Sequence, residues 1–552
     1  MKITRRAVVG RAGALGALLA MGGGPALGQS RAPVRMSLTE FVRDPVRVES
    51  LRRGVAVMKA RPASDYRSWF FQAAIHAYDD AQYADALAQD PNVAKVDRAR
   101  YWNKCTHFGQ SSANFVIWHR AYLYYFERIL RDAAGDPSLA LPYWDYTRED
   151  NRGFPQIFAS KFVDRAKQNP NPLYHSNRDL AFVIGTLGIS DAVGRAAATL
   201  DSEIFFSEIG VTGFAGDTLG EDETQVGLLE QRPHNDIHLA VGGVVGTANG
   251  AMADVRTAAF DPVFWVHHAN IDRMWAAWSA APGKSWGVLP PDEWLDENAW
   301  IFLDVDGKEK ANSRRFYIDR VNLPVRYDTD GTLGTALALP VPPPPPPPPP
   351  PTDQANQSSV ETVVATGAVK AAAPGRTRAL AYLADDNPID VSPSAPGARV
   401  LGRASVPTAS GAAAPPPQQN LQAPSIVTAE APPSLSAPSI APNERVLLEL
   451  SDIHFDRVPS SGFSVYLIES RTTALNDPVG LLNLFGATHM QMPGMPMKAA
   501  QRFDVTRIVA HSAGPFTLRI EPYDLLVRKS GAPAPKRADE VHIGSVRFVV
   551  VS

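Results

Sequence analysis

A mainly α fold is expected for this chain: a helical bundle, then a small β-rich segment, a proline-rich linker and a C-terminal all-β sandwich. Three observations predict it. Amphipathic runs of helical period fill the first half and carry histidines. An unbroken proline run, Pro342–Pro351, opens a stretch rich in alanine, proline, serine and valine. After Glu444, apolar runs of strand length recur. The 552 residues exceed one compact core, so several domains are expected. A net charge of −3 offers no basic surface for nucleic acid or an anionic membrane.

Residues 1–30 read as a twin-arginine export signal. Thr4-Arg5-Arg6 precedes an apolar run, Ala7 to Leu27, and Ala26-Leu27-Gly28 supplies small residues for cleavage. Its glycine and alanine content favours cleavage over a membrane anchor, and no other stretch approaches the ~18 apolar residues a span needs. The expected location is therefore periplasmic or secreted, with no membrane attachment once the signal is removed. An exported chain often carries disulfides. This one has the single cysteine Cys105, so no intrachain disulfide can form.

Residues 31–290 form the expected helical domain. Phe70–Tyr78 is apolar on one helical face and carries His76. Phe115–Leu130 predicts a long amphipathic helix carrying His119, closed by Gly135 and Asp136-Pro137. Pro233–Ala240 places His234 and His238 four residues apart on one face. Asp261 and Pro262 are an N-cap and a first helical residue, which puts His268 in the second turn. Residues 291–340 are expected to be a β-rich extension, with turn signals at Asp306-Gly307 and Asp330-Gly331. Residues 341–442 read as a linker, stiff over the proline run (about 31 Å at ~3.1 Å per residue), with room left for a short structured piece near Arg378–Ala384. Residues 443–552 predict the β domain, from RVLLELSDIHF to HIGSVRFVVVS.

The histidines point to a metal pair. His76, His107 and His119 form one triplet; His234, His238 and His268 form another. Helices that face one another across a bundle converge such side chains on a metal. Imidazole suits copper, zinc and iron alike, and one three-histidine site would favour zinc. Two such sites with no ligating carboxylate and no second thiol favour two copper ions, and adjacent coppers can bind and split dioxygen.

The strings CTHFGQSSANFVIWHRAYLYYFERIL (Cys105–Leu130) and DPVFWVHHANIDRMW (Asp261–Trp275) resemble the copper-binding segments of the tyrosinase and catechol oxidase family of dicopper proteins, and the likeness is strong over residues 60–280. The resemblance implies several roles. Cys105-Thr-His107 looks like the family's thioether motif, in which a cysteine sulfur is joined to an imidazole carbon. The gap of twelve residues from His107 to His119 is longer than the family's usual one, as an insertion around Gly109–Ala113 would make it. His268 rather than His267 is the ligand, His267 being a supporting residue. Asp272, one turn on from His268, would orient ligands or cap neighbouring groups, as carboxylates behind metal ligands commonly do, and Phe264 resembles the family's ring beside the ligands. Glu230 and Asn235 fall where members that hydroxylate phenols hold a water for the phenolic proton. Val255 falls at the gate over the first copper, where a valine leaves the entrance open.

DEWLDENAWIFLD (Asp292–Asp304) and RVLLELSDIHFDRVPSSGFSVYLIE (Arg445–Glu469) resemble the corresponding segments of plant polyphenol oxidases, whose C-terminal domain covers the copper site and keeps the enzyme latent. Within it, His489, Met490, Met492, Met495 and Met497 form a thioether-rich loop. It reads either as a copper-loading site, since soft sulfur selects Cu(I), or as an apolar plug. The resemblance implies an oxidoreductase that uses dioxygen to hydroxylate monophenols and oxidise o-diphenols to o-quinones. A catechol oxidase without the first step and a hemocyanin-like oxygen binder are the alternatives.

Overall fold

A computed structural model of the chain describes residues 33–106, 112–195, 197–218, 226–246, 248–330, 378–382, 389–391, 399–400, 444–454, 459–469, 477–485, 500–511, 516–530 and 541–551. The export signal, most of the proline-rich stretch, His107 and the loop His489–Met497 lie outside these residues. Among the described residues no helix is long and apolar enough to cross a membrane.

The helices begin where side chains can satisfy their first free N–H groups. Asp44 caps Pro45–Ala60, with proline at the first position, where its missing N–H costs nothing. Ser68 accepts from Phe71 N–H at the start of Trp69–His76. Asp261 accepts from Val263 N–H and opens Pro262–Ala280. The longest helix, Asn114–Ala134, ends on Gly135 at φ 60°, a left-handed conformation natural to glycine. Its apolar stripe packs on Pro262–Ala280 through Phe126, stacked on Trp265 at 3.3 Å between centroids, with Trp69 edge-on to both rings. On its other side lies Pro45–Ala60. A Cβ on Gly54 would stand 2.8 Å from Leu130 Cδ1, so glycine sets how closely these two helices approach.

The segment around His234 departs from the expected single helix. Arg232 is extended (φ −149°, ψ 129°) and breaks the helical path just before Pro233. The proline ring disfavours the helical conformation for the residue preceding it. The regular helix is therefore the shorter Asp236–Gly242.

The extension after residue 290 is less strand-rich than expected. It holds a hairpin of Phe302–Leu303 with Glu309–Lys310, two short helices (Asp292–Leu295 and Arg314–Ile318), and Arg326–Tyr327. Its apolar residues wrap the long helix individually rather than forming a sheet face: Phe302 stacks on Tyr125 and Tyr317 is fully buried. Arg326–Tyr327 pairs in parallel with Val34–Arg35 and so joins the two ends of the helical domain.

The C-terminal domain is a sandwich of two antiparallel sheets. One has the order Arg378–Tyr382, Val541–Val551, Arg445–His454, Gln501–Asp504, with Ile389–Val391 also on Val541–Val551; the other runs Arg399–Val400, Phe516–Asp524, Ser461–Glu469, Gly480–Leu481. Alternation selects the inner faces: Val446, Leu448 and Leu450 from one sheet, Phe463, Val465 and Leu467 from the other. Three strands thus come from the stretch read as linker. Arg378–Tyr382 falls where the linker reading left room for a short structured piece, whereas Ile389–Val391 and Arg399–Val400 are hidden by a composition poor in alternating apolar residues. The domain docks on the helical one by adding Leu526–Arg528 to Leu187–Ile189 as an antiparallel pair.

Candidate metal centre

Two buried groups of metal-ligating side chains face one another in the helical domain. His76, Cys105 and His119 make one; His234, His238, His267 and His268 make the other, the candidate ligand atoms of each lying within 4.8 Å. His76 closes the helix Trp69–His76, His119 lies in the second turn of Asn114–Ala134, and His268 lies on Pro262–Ala280. The imidazoles of His119 and His268, one from each group, stack at 4.3 Å and 11°. His238 Nε2 and His268 Nε2 are 3.3 Å apart. The two groups therefore form one centre rather than two separate sites.

Four rings are oriented through Nδ1. His76 donates to the Val255 carbonyl (3.1 Å), His119 to the Phe115 carbonyl (2.8 Å), His238 to the Met252 carbonyl (2.8 Å) and His234 to Asn235 Oδ1 (2.9 Å). A donor proton fixed at Nδ1 leaves the Nε2 lone pair for a metal. Burial, aided by the neighbouring imidazoles, drives His268 well below the ordinary histidine pKa, and burial alone takes His267 down to about 3. For these two rings the neutral, metal-binding form is thus the one present at physiological pH. Neither group contains a carboxylate. Clustered neutral imidazoles with one soft sulfur nearby fit a pair of copper ions.

The expected residues take the following places. His76, His119, His234, His238 and His268 come together; His107 lies outside the described residues, and with it the partner of the expected thioether. Cys105 is buried with its Sγ 3.9 Å from His119 Nε2. Phe264 stands beside the ligands, 4.1 Å from the His268 ring and 4.9 Å from His76. Val255 is wholly buried, and its backbone carbonyl is the group that holds His76. Glu230 and Asn235 are buried on the segment that carries His234. Asn235 Nδ2 has no partner among the described residues, whereas Oδ1 is committed to His234.

Asp272 does not orient a ligand; it holds neighbouring groups, the other role expected of it. It accepts from Arg120 Nε (2.6 Å), Arg35 Nη1 (3.1 Å) and Tyr327 Oη (2.5 Å), and so ties the His119 helix, the His268 helix and both ends of the domain together. Four residues along the helix from His268, its side chain stands on the same face one turn further on, where Arg120 meets it instead of the imidazoles.

Phe485 was not foreseen. This C-terminal-domain residue stacks on His238 at 3.9 Å and 21°, and meets His234 edge-on at 5.7 Å. Leu481 N–H donates to Gln231 Oε1 (3.0 Å), and Tyr523 donates to Asp236 (2.8 Å) beneath the Arg232 guanidinium, 4.1 Å from the ring. The only sequence signal was proximity: Phe485 lies just before the loop read as a plug.

Residues 66–281 match the family described as the common central domain of tyrosinase. The chain is 35% identical over 282 residues to a tyrosinase of Hahella sp., covering 46% of this chain and 55% of that protein. It is 27% identical over 311 residues to a chloroplastic polyphenol oxidase of Spinacia oleracea, covering 52% and 45%. It thus spans about half the length of the curated relatives it matches. Among solved structures, latent apple tyrosinase superimposes with a TM-score of 0.51 at 19% identity, over 95% of this chain and 98% of that one. A recombinant latent aurone synthase (polyphenol oxidase) gives 0.50 at 19% identity, over 95% and 90%. These two likenesses bear on the fold, including the C-terminal sandwich.

Proposed function

We propose, for a chain that belongs to the tyrosinase and polyphenol oxidase family and carries its two copper sites, that it is a latent polyphenol oxidase which hydroxylates monophenols and oxidises o-diphenols to o-quinones with dioxygen. The observation that carries this reading is the contact between the two histidine groups through His119 and His268. Copper in these sites supplies the binding and activation of dioxygen. His76, His107 and His119 hold one ion, and His234, His238 and His268 the other. The thioether Cys105–His107, formed with loss of two hydrogens to dioxygen, fixes the His107 ring; the burial of Cys105 beside His119 supports it. Export in the twin-arginine manner suits a protein that folds around its metal before leaving the cell.

The chain's own groups handle the phenol. Glu230 and the free Nδ2 of Asn235 hold a water that takes the phenolic proton, with Glu230 as final acceptor. Val255 in place of a bulkier gate leaves room for the incoming ring. Phe485 occupies the place over His238 where a substrate ring would stack, which supports latency in the uncut chain.

Dioxygen uptake by the copper-loaded chain, with tyramine and then catechol, before and after proteolysis within residues 331–443, tests the reading. Uptake with both phenols, rising once the C-terminal domain is cut and displaced, is expected. Uptake with catechol alone would make it a catechol oxidase, and none with either would leave an oxygen binder. Glu230→Gln is expected to slow tyramine hydroxylation by ~100-fold while sparing catechol, the usual scale for losing a general base. Asn235→Ala should depress both, because Oδ1 also orients His234.

A further inference from the structure

The second histidine group holds one imidazole too many. Three nitrogens per copper complete the centre, yet four converge here. His267 is wholly buried; its Nδ1 lies 3.1 Å from Tyr146 Oη, and its Nε2 has no partner among the described residues. Its ring stands 5.0 Å from His238, 5.0 Å from His268 and 5.3 Å from His234, stacked at 23° on the last. An orphaned ring nitrogen in a core is destabilising, and a packing role would be better filled by an apolar ring. The orientation pattern points the same way. His234, His238 and His267 all have Nδ1 against an oxygen, whereas His268 Nδ1 has no partner among the described residues. His267 is thus oriented like a ligand, and better than the neighbour expected to be one.

We propose that His267 is a reserve copper ligand of the second site, which closes the coordination shell while the ion is held at rest and withdraws to Tyr146 when the site opens. Four imidazoles complete a closed shell, whereas an ion that must take dioxygen needs a vacant position. In the closed state His267 carries its proton on Nδ1 and needs nothing from Tyr146, and Nε2 contributes a lone pair beside His234, His238 and His268. In the open state Tyr146 O–H donates to Nδ1 instead, the proton moves to Nε2, and that nitrogen can no longer bind. Only a copper–nitrogen bond and the position of one ring proton change; no electron is transferred. This inference rests on the dicopper reading.

The test is retention of copper, which does not depend on turnover. The full chain, loaded with Cu(I) without air, is challenged with a Cu(I) chelator while the metal remaining per chain is counted. His267→Phe is expected to lose the second copper ~10-fold faster or more, the scale found when groups supporting a metal site are removed. Tyr146→Phe, which removes only the hydroxyl that withdraws His267, is expected to hold it as tightly as the wild type or more so. Retention by His267→Phe equal to the wild type would overturn the proposal, as would loss of copper by Tyr146→Phe, the mark of a merely structural pair. If His267→Phe does not fold, His267→Gln carries the same comparison. A wild-type chain that binds no copper would overturn the dicopper reading itself, whereas copper bound alike by all three would overturn only the role of His267.

Discussion

Replacing Phe485 with alanine is expected to raise catechol turnover by the uncut chain by about tenfold or more, chiefly through a lower KM. The ring lies flat on His238 at 3.9 Å and edge-on to His234, where the proposed phenolic substrate would dock. Truncating a buried phenylalanine typically costs ~3–5 kcal/mol, and release of less than half of that shifts the balance between covered and open site by a factor of ten. The rest of the C-terminal domain stays seated, because other contacts hold it: Tyr523 on Asp236, Leu481 on Gln231, and the strand Leu526–Arg528 on Leu187–Ile189. For the same reason, cutting the linker alone leaves the plug in place until those contacts also give way. Initial rates over a range of catechol concentrations, for the uncut and the cut and displaced forms of both proteins, decide the matter. The substitution should have no effect once the domain is gone, and an unchanged KM in the uncut chain would show that Phe485 is not the obstruction.

The second large effect is on stability. Asp272→Ala is expected to lower the melting temperature by ~10 °C, from a loss of ~3–5 kcal/mol and the usual few degrees per kcal/mol in a domain of this size. Asp272 is the shared counter-ion of Arg120 and Arg35, whose side chains are 2% and 1% exposed. Arg120 also lies over the Trp275 ring at 3.2 Å, so it cannot reach water. Removing the carboxylate leaves two cations in an apolar interior, with Glu127 compensating only Arg35. Burial works against ionisation of Asp272, yet Arg120 and Arg35 outweigh it and hold the carboxyl below its ordinary pKa. Its contribution is therefore complete above the ordinary aspartate pKa of ~3.9 and drains away as the pH falls below that value through the folded one. Melting curves of wild type and variant should differ by a constant amount near neutrality and converge in strong acid. A gap that persists there would mean that the lost interaction is not the ionised carboxylate.

Much of this architecture is legible along the chain because its causes are local. A helix shows itself through its cap and its apolar period, as Asp261-Pro262 does for the His268 helix, and a strand through alternation, as Phe463, Val465 and Leu467 do. The histidine positions follow, because helices of known face must turn them inward together. Local signals are ambiguous where partners are remote. The place of Asp272 one turn from a ligand leaves open whether it serves that ligand or other groups; Arg120 lies 152 residues away in sequence and Arg35 237, and only the packing of the helices shows that they share one carboxylate. Ile389–Val391 and Arg399–Val400 carry little strand pattern of their own and form strands against edges that other strands supply.

By itself the sequence determined that His76, His119, His234, His238 and His268 face inward together and which faces of its helices and strands are buried, since both depend on neighbours a few positions away. Tertiary structure alone decided what each face meets: Phe485 against His238, Tyr523 against Asp236, and His267 as a fourth imidazole beside three. A periodic pattern specifies that a side chain must leave water but not which distant group will receive it, and that choice is made only when shapes and charges from separate parts of the chain are brought together.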